Sequence, residues 1–216
     1  MIKKVPRREV KVYFLLADAG KGFFKDKIGR NELEDRYNGS LGELDNMDEN
    51  DLNEEFKDKV RLRRYNEMEW HRDNVILGEM GPWPEMKGLP IEFTTGNIPE
   101  VARMIKKFKK GKISVSEKSL EKTKRCARKL DSIIRHIDFV RPNFPLILFP
   151  GGEIREKDYN NYARKNAKPL CGIFQYDMDD GSERAVAYSL SGLKDAPVFY
   201  GTRNKSSLNP NNSISD

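Results

Sequence analysis

Histidine and cysteine are scarce, with two of each in 216 residues, and that scarcity narrows the chemistry open to the chain. His71 and His136 stand apart from each other and from Cys126 and Cys171, so no ligand cluster of metal-binding spacing can be drawn and no metal site is expected. Two distant cysteines make no disulfide framework and favour a reducing, cytoplasmic compartment. Cys171 beside Gly172 reads as a small buried side chain rather than a nucleophile, because no histidine lies near it in sequence. Long apolar runs are missing as well. Val12 to Ala17 and Leu146 to Phe149 fall far short of the roughly 20 residues that a membrane span needs. The opening stretch Met1 to Glu9 is charged and leads into a run too short for a secretory signal core.

What the chain has in quantity is charge. Charged residues make up 34% against 37% hydrophobic, so a core must form inside a heavily charged shell. The net charge of +6 hides a strong separation along the chain. Leu41 to Asp58 holds eight acids against Lys57 alone, whereas Val101 to Ile137 holds thirteen Lys or Arg against three acids. The second stretch creates a local positive field whose natural partner is a polyanion, and Lys106, Lys107, Lys109, Lys110, Arg125 and Arg128 are its candidate nucleic-acid contacts. Over residues 59–76, Arg61, Arg63, Arg64 and Arg72 mix with Tyr65, Trp70 and His71. Interleaved cations and rings suit a nucleic-acid surface. They equally suit a core holding Tyr65 and Trp70 with arginines reaching out to water, and this is the preferred reading.

Patterning divides the chain at about residue 96. In residues 1–96, Glu9 to Ala17 alternates and then turns apolar, which reads as a strand. Residues 38–58 are acidic with turn formers at Asn38-Gly39-Ser40, and read as an exposed loop or lid with a short helix near 51–58. Residues 78–90 read as a rigid loop and Ile91 to Thr94 as a short strand. Asn97, Pro99 and Glu100 then open a helix that buries Val101, Met104, Ile105 and Phe108 and stops at Gly111. Ser114 to Glu117 forms a capping box for a second helix, whose stripe is Leu120, Ala127, Leu130, Ile133, Ile134 and Ile137. Arg141 to Pro145 ends that helix and hands over to a buried strand, Leu146 to Phe149. Gly151-Gly152 follows, then a helix with Tyr159 and Tyr162. A strand comes next around Gly172 to Tyr176, then an acidic turn from Asp177 to Gly181, a helix from about Glu183 to Ser191, and a strand from Ala196 to Tyr200. The tail, 204–216, is rich in Asn and Ser and is expected to be disordered.

A strand that passes through glycine into a helix leaves amide donors pointing outward at the positive end of the helix dipole, which together make an anion site. Asp180-Gly181-Ser182-Glu183-Arg184 supplies such a corner. Gly181 admits a phosphate close to the backbone, Ser182 offers a hydroxyl, and Arg184 offers a planar fork. This segment continues as Ala185-Val186-Ala187-Tyr188, and then as Ser191-Gly192-Leu193-Lys194-Asp195-Ala196-Pro197-Val198. Over its length it resembles the signature of the ParB/sulfiredoxin-like family. The resemblance is good for about 25 residues and extends more loosely over 116–203. It implies an α/β (α+β) fold, a small mixed sheet with helices, carrying residues 1–96 as an amino-terminal extension. It also implies nucleotide or phosphate binding at the turn, through Asp180, Gly181, Ser182 and Arg184.

The family covers DNA-partition proteins that bind and hydrolyse CTP, sulfiredoxins, a small-molecule kinase and reputed nucleases. Ser182 stands where a sulfiredoxin has its reactive cysteine, Ser182-Glu183 replaces the kinase's histidine pair, and Ala185 replaces the second arginine of the partition-type box. The binding turn therefore survives the comparison better than any one reaction does. Whether the chain is an enzyme stays open. If it turns over, nucleotide hydrolysis, phosphoryl transfer or nuclease chemistry is expected, with Glu183 or Glu153 as base and a magnesium-bound nucleoside triphosphate as cofactor. Two rival readings stand beside this one. The first is a non-enzymatic, basic DNA- or RNA-binding protein. The second is an adaptor or inhibitor whose acidic segment mimics nucleic acid.

Overall fold

The computed structural model describes residues 2–19, 24, 28–82, 86, 89–151 and 174–203. Six strands form one mixed sheet: β1 (Lys3–Val5), β2 (Met68–Ile76), β3 (Met80–Gly81), β4 (Leu146–Pro150), β5 (Tyr176–Asp180) and β6 (Asp195–Arg203), in the order β1-β2-β6-β4-β5-β3. The longest ladder pairs β2 with β6 antiparallel, from Met68 opposite Arg203 to Ile76 opposite Asp195. β4 runs parallel to β6 and antiparallel to β5, and the short β3 runs parallel to β5. Strands from both sides of residue 96 thus share a single sheet.

Helices cover both faces. Among the described residues the chain forms α1 (Arg7–Ala19), α2 (Arg30–Asn46), α3 (Glu49–Glu55) and α4 (Lys59–Glu67) before β2. α5 (Ile98–Lys109), α6 (Glu117–Arg135) and α7 (Ile137–Asn143) precede β4, and α8 (Ser182–Leu190) lies between β5 and β6. On one face an aromatic cluster joins helices to sheet: Phe14 of α1 stacks on Phe56 at 5.0 Å, and Tyr65 of α4 meets Trp70 of β2 at 5.0 Å. Trp70 in turn meets Phe149 of β4 at 5.5 Å. Gly201 of β6 lies opposite Trp70, and a side chain there would come within 3.0 Å of the rings of Trp70 and Phe149. α8 lies on the other face. Its residues Ala185, Val186, Ala187 and Tyr188 are wholly buried, enclosed by β4, β6, α5, α6 and α7. Small side chains along α8 allow this enclosure on all sides.

Several elements differ from the sequence reading. Residues 9–17 are helix, not strand. Val10, Val12 and Phe14 mimic strand alternation, but Val10, Lys11, Phe14 and Leu15 share a helical face that packs against α2, α3 and β2. The acidic stretch 38–58 is mostly helical rather than an open loop. Leu33, Tyr37 and Leu44 fall on one face of α2 and are buried, and Leu52 and Phe56 anchor the next segment. The acids stay outside or cap helices: Asp48 accepts the amides of Asn50 and Asp51, and Asp58 accepts those of Val60 and Arg61. Ile91–Phe93 is a single 3-10 turn, closed by the Phe93 amide on the Pro90 carbonyl. β5 occupies Tyr176–Asp180, where an acidic turn was expected, and only Gly181 turns.

Other expectations match. α5 begins at Asn97 with the full reciprocal capping box to Glu100, and it carries Pro in its first turn. α6 starts later than the Ser114 box implies. Ser116 is its cap position and bonds Ser119 side chain to side chain. His136 separates α6 from α7, and the helical run extends through Pro142 to Asn143 before β4 begins as expected. The helix expected around Tyr159 and Tyr162, the start of the strand at Gly172, and the tail 204–216 lie outside the described residues.

Lys11 is the unusual member of the core, only 1% exposed. Its ammonium pairs with Glu49 and donates to Asn53 at 2.8 Å, joining α1 to α3. Removing the acid strands a buried ammonium, whereas removing the ammonium leaves only a half-exposed carboxylate. Glu49→Ala is therefore expected to lower the urea stability by more than about 1 kcal/mol, while Lys11→Met, which keeps the apolar stem, stays within about 1 kcal/mol of the parent. Equal losses in the two variants would refute this account of the pair.

Candidate polyanion interface

At the end of β5 the chain turns through Gly181, with φ of 103°, into the first turn of α8. The corner expected from sequence does form, but its arginine points inward. Arg184 is 6% exposed. One terminal nitrogen of Arg184 donates to the carbonyls of Phe144 at 2.8 Å and Pro145 at 3.2 Å, and the other is ion-paired with Asp180. The guanidinium also lies 5.9 Å from the centre of the Phe144 ring. A side chain at Gly181 would come within 2.6 Å of Leu146. Asp180, Gly181, Ser182, Glu183 and Arg184 are thus brought together, and in this arrangement Arg184 ties α8 to the junction between α7 and β4. Glu183, expected as a base, is ion-paired with Lys129 of α6. Glu153, the other candidate base, lies outside the described residues.

The basic stretch turns outward. Lys106, Lys107 and Lys110 are exposed near the end of α5, and Arg125 and Arg128 are exposed on α6. Lys109 differs, because it is ion-paired with Asp131 across the two helices. Lys112, Lys118 and Lys122 extend the exposed set. Of these, the side chains of Lys106, Lys107, Lys110, Lys112, Lys118, Lys122 and Arg125 form no hydrogen bond or ion pair with a described residue. The arrangement follows from amphipathic folding. α5 and α6 spend Val101, Ala102, Ile105, Cys126, Ala127, Leu130 and Ile133 on the interior against α8, which leaves their lysines in water. Burial pushes the Cys126 thiol up to about 12, with the Glu183 charge adding to the effect, so this cysteine is an inert core residue.

A second cluster escaped the sequence reading. Asp179 of β5 is buried and accepts the Tyr65 hydroxyl at 2.7 Å, with Arg61 at 3.1 Å and Arg64 at 3.6 Å. Burial pushes the Asp179 carboxyl above its usual range, against the opposing pull of Arg61. Burial likewise raises the Tyr65 hydroxyl well above its usual value, so it stays a donor. Burial disfavours the charge on Arg61, but neighbouring acids, Asp179 first among them, outweigh it and hold the guanidinium protonated. Arg61 lies over Phe14 and Arg64 over Phe149. The contacts to Asp179 come from a segment far away in the chain, and no local signal announces them. Tyr65 and Trp70 are core residues, as the preferred reading has it, but Arg61 and Arg64 turn inward to Asp179 instead of reaching out to water, and Arg63 is the exposed arginine of α4.

An open cavity of about 770 Å³ lies between β2 and α7, lined in part by Lys3, Arg72, Asp73, Asp138 and Arg141. Its charges are largely matched: Arg141 pairs with Asp195, Asp138 with Arg30, and Arg72 with Glu9 at 3.9 Å. It offers much less uncompensated positive charge than α5 and α6. Among the described residues no His, Cys, Asp and Glu group is arranged to hold a metal, and no helix is long and apolar enough to cross a membrane. No family model, curated protein or solved structure matches this chain.

Arg184→Ala leaves Asp180 and two main-chain carbonyls short of their donor, so a loss of about 3 kcal/mol is expected in urea unfolding. Gly181→Ala forces a left-handed backbone on alanine beside Leu146 and should cost more than about 1 kcal/mol. A stable, fully folded Arg184→Ala protein would show that the inward fork is dispensable.

Proposed function

We propose that this chain binds the phosphate backbone of nucleic acid through the exposed cations of α5 and α6, without needing turnover. The observation that carries the reading is the set Lys106, Lys107, Lys110, Lys112, Lys118, Lys122 and Arg125, exposed and engaged in no ion pair with a described residue, on two helices anchored by their opposite faces and the turn between them. Each such ammonium or guanidinium that meets a phosphate releases a condensed counterion, which makes the affinity steeply dependent on salt. With about five contacts, affinity for a labelled oligonucleotide of about 20 nucleotides should fall at least about 100-fold between roughly 50 and 200 mM salt. Reversing Lys106, Lys107 and Lys110 to Glu should weaken binding at least about tenfold and flatten the salt dependence, with an unchanged melting temperature. Fluorescence anisotropy measures both effects. Binding that ignores salt, or that survives the triple reversal, would contradict the proposal.

A second reading draws on the resemblance to the ParB/sulfiredoxin-like family. It places a nucleotide phosphate, with magnesium, at the first turn of α8. The left-handed Gly181 at the cap of α8 favours it, because the backbone there can approach an anion closely. It also requires Arg184 to give up the Phe144 and Pro145 carbonyls or to act from within the fold. Thermal stabilisation by nucleoside triphosphates with magnesium is the expected sign, and at a hundredfold excess over Kd it adds about 2.7 kcal/mol. A melting temperature unmoved across nucleoside mono-, di- and triphosphates would remove this reading and leave the first intact.

A further inference from the structure

We infer that the partner of the α5 and α6 surface is double-stranded nucleic acid, gripped through its phosphates; this inference rests on the polyanion reading above. On α6, Lys118, Lys122 and Arg125 stand at the four- and three-residue steps of one helical face, with Glu121 among them paired to Lys124 and leaving a net positive row. On α5, Lys106, Lys107 and Lys110 likewise lie close together at its carboxy-terminal end. The α6 row extends about 10 Å at roughly 1.5 Å per residue. A duplex presents one charge per roughly 1.7 Å of axis, so about six of its phosphates lie along that length, against about three for one strand at roughly 3.4 Å spacing. A contact made by charge alone therefore favours the denser polyanion.

The side chains around the rows point the same way. Phe108 is the one aromatic residue of α5 and α6, and it is partly buried against the core, with its ring centre 6.3 Å from that of Phe93. Met104, Ile113 and Val115 also pack against the core. Affinity for a single strand comes largely from bases stacking on rings presented by the protein, and on this surface the ring is already engaged. The rows sit on helices anchored from behind: Lys109 pairs with Asp131 between α5 and α6, and Lys129 pairs with Glu183 between α6 and α8. A rigid cationic face of this kind suits the regular phosphate rows of a duplex, whether its sugar is deoxyribose or ribose.

The test is competition anisotropy with the whole chain at about 100 mM salt, using unlabelled duplex DNA, duplex RNA and single-stranded DNA of equal length. Duplex should compete at least about fivefold better per nucleotide than the single strand. Preference for either duplex supports the inference, and the tighter of the two identifies the sugar. A single strand that binds as well as duplex or better overturns the inference while leaving the polyanion reading standing. Failure of all three to bind in a salt-dependent manner overturns both. Charge reversal of Lys118, Lys122 and Arg125 to Glu should shrink the duplex advantage to less than about twofold, with folding confirmed by an unchanged circular dichroism spectrum. An undiminished advantage in that folded variant would refute the role of the α6 row.

Discussion

A guanidinium taken out of water must find acceptors for its donors and an opposite charge nearby, and Arg184 finds these at a place where three segments meet. Asp180 closes β5, the carbonyls of Phe144 and Pro145 mark the entry to β4, and Arg184 itself belongs to the first turn of α8. Holding these together fixes how α8 leaves the sheet, and α8 is the element around which α5, α6 and α7 gather. The position of the cationic helices therefore depends on an arginine that the solvent barely reaches. The same residue type that would serve a phosphate at a helix start here serves the fold, because two main-chain carbonyls and a carboxylate occupy its donors.

Charge in this protein is sorted by packing rather than by sequence position alone. On α5 and α6 the apolar stripe turns in and most lysines turn out, with Arg103, Lys109, Lys124 and Lys129 ion-paired to acids. The acid-rich stretch from α2 to the start of α4 also has several of its charges engaged. Asp48 and Asp58 are consumed as helix caps, and Glu49 is held by the buried Lys11. Several acids thus have a structural partner, while Lys106, Lys107, Lys110, Lys112, Lys118, Lys122 and Arg125 have no hydrogen bond or ion pair with a described residue. That set of seven cations, more than the net charge of +6, is what marks the surface proposed to meet a polyanion.

Elements with strong local rules were readable in the chain. Asn97, Pro99 and Glu100 announced α5, the three- and four-residue stripe announced α6, and Gly181 and Gly192 bracketed α8. Elements with ambiguous periods were not. Val10, Val12 and Phe14 satisfy both a strand and a buried helix, and only the neighbours α2, α3 and β2 decide between them. Asp177, Asp179 and Asp180 read as a turn because carboxylates rarely lie within a buried strand. Tyr65, Arg61 and Arg64 make that burial tolerable for Asp179 from a distant part of the chain. α2 has no clear sequence signal because its apolar face is sparse, with many of the remaining positions given to charge.

By itself the amino-acid sequence determined the helical capping signals, the apolar stripes, the glycine corner before α8 and the concentration of positive charge between residues 101 and 137. Each of these is set by residues within a few positions of one another, where backbone geometry alone decides who meets whom. Tertiary structure decided the fate of individual charges: Arg184 drawn inward, Asp179 buried against two arginines, Lys109 and Lys129 paired, and the other lysines of α5 and α6 largely left in water. The energy of a charge depends on its exposure and on partners within a few ångströms, and those partners come from segments that only folding brings together.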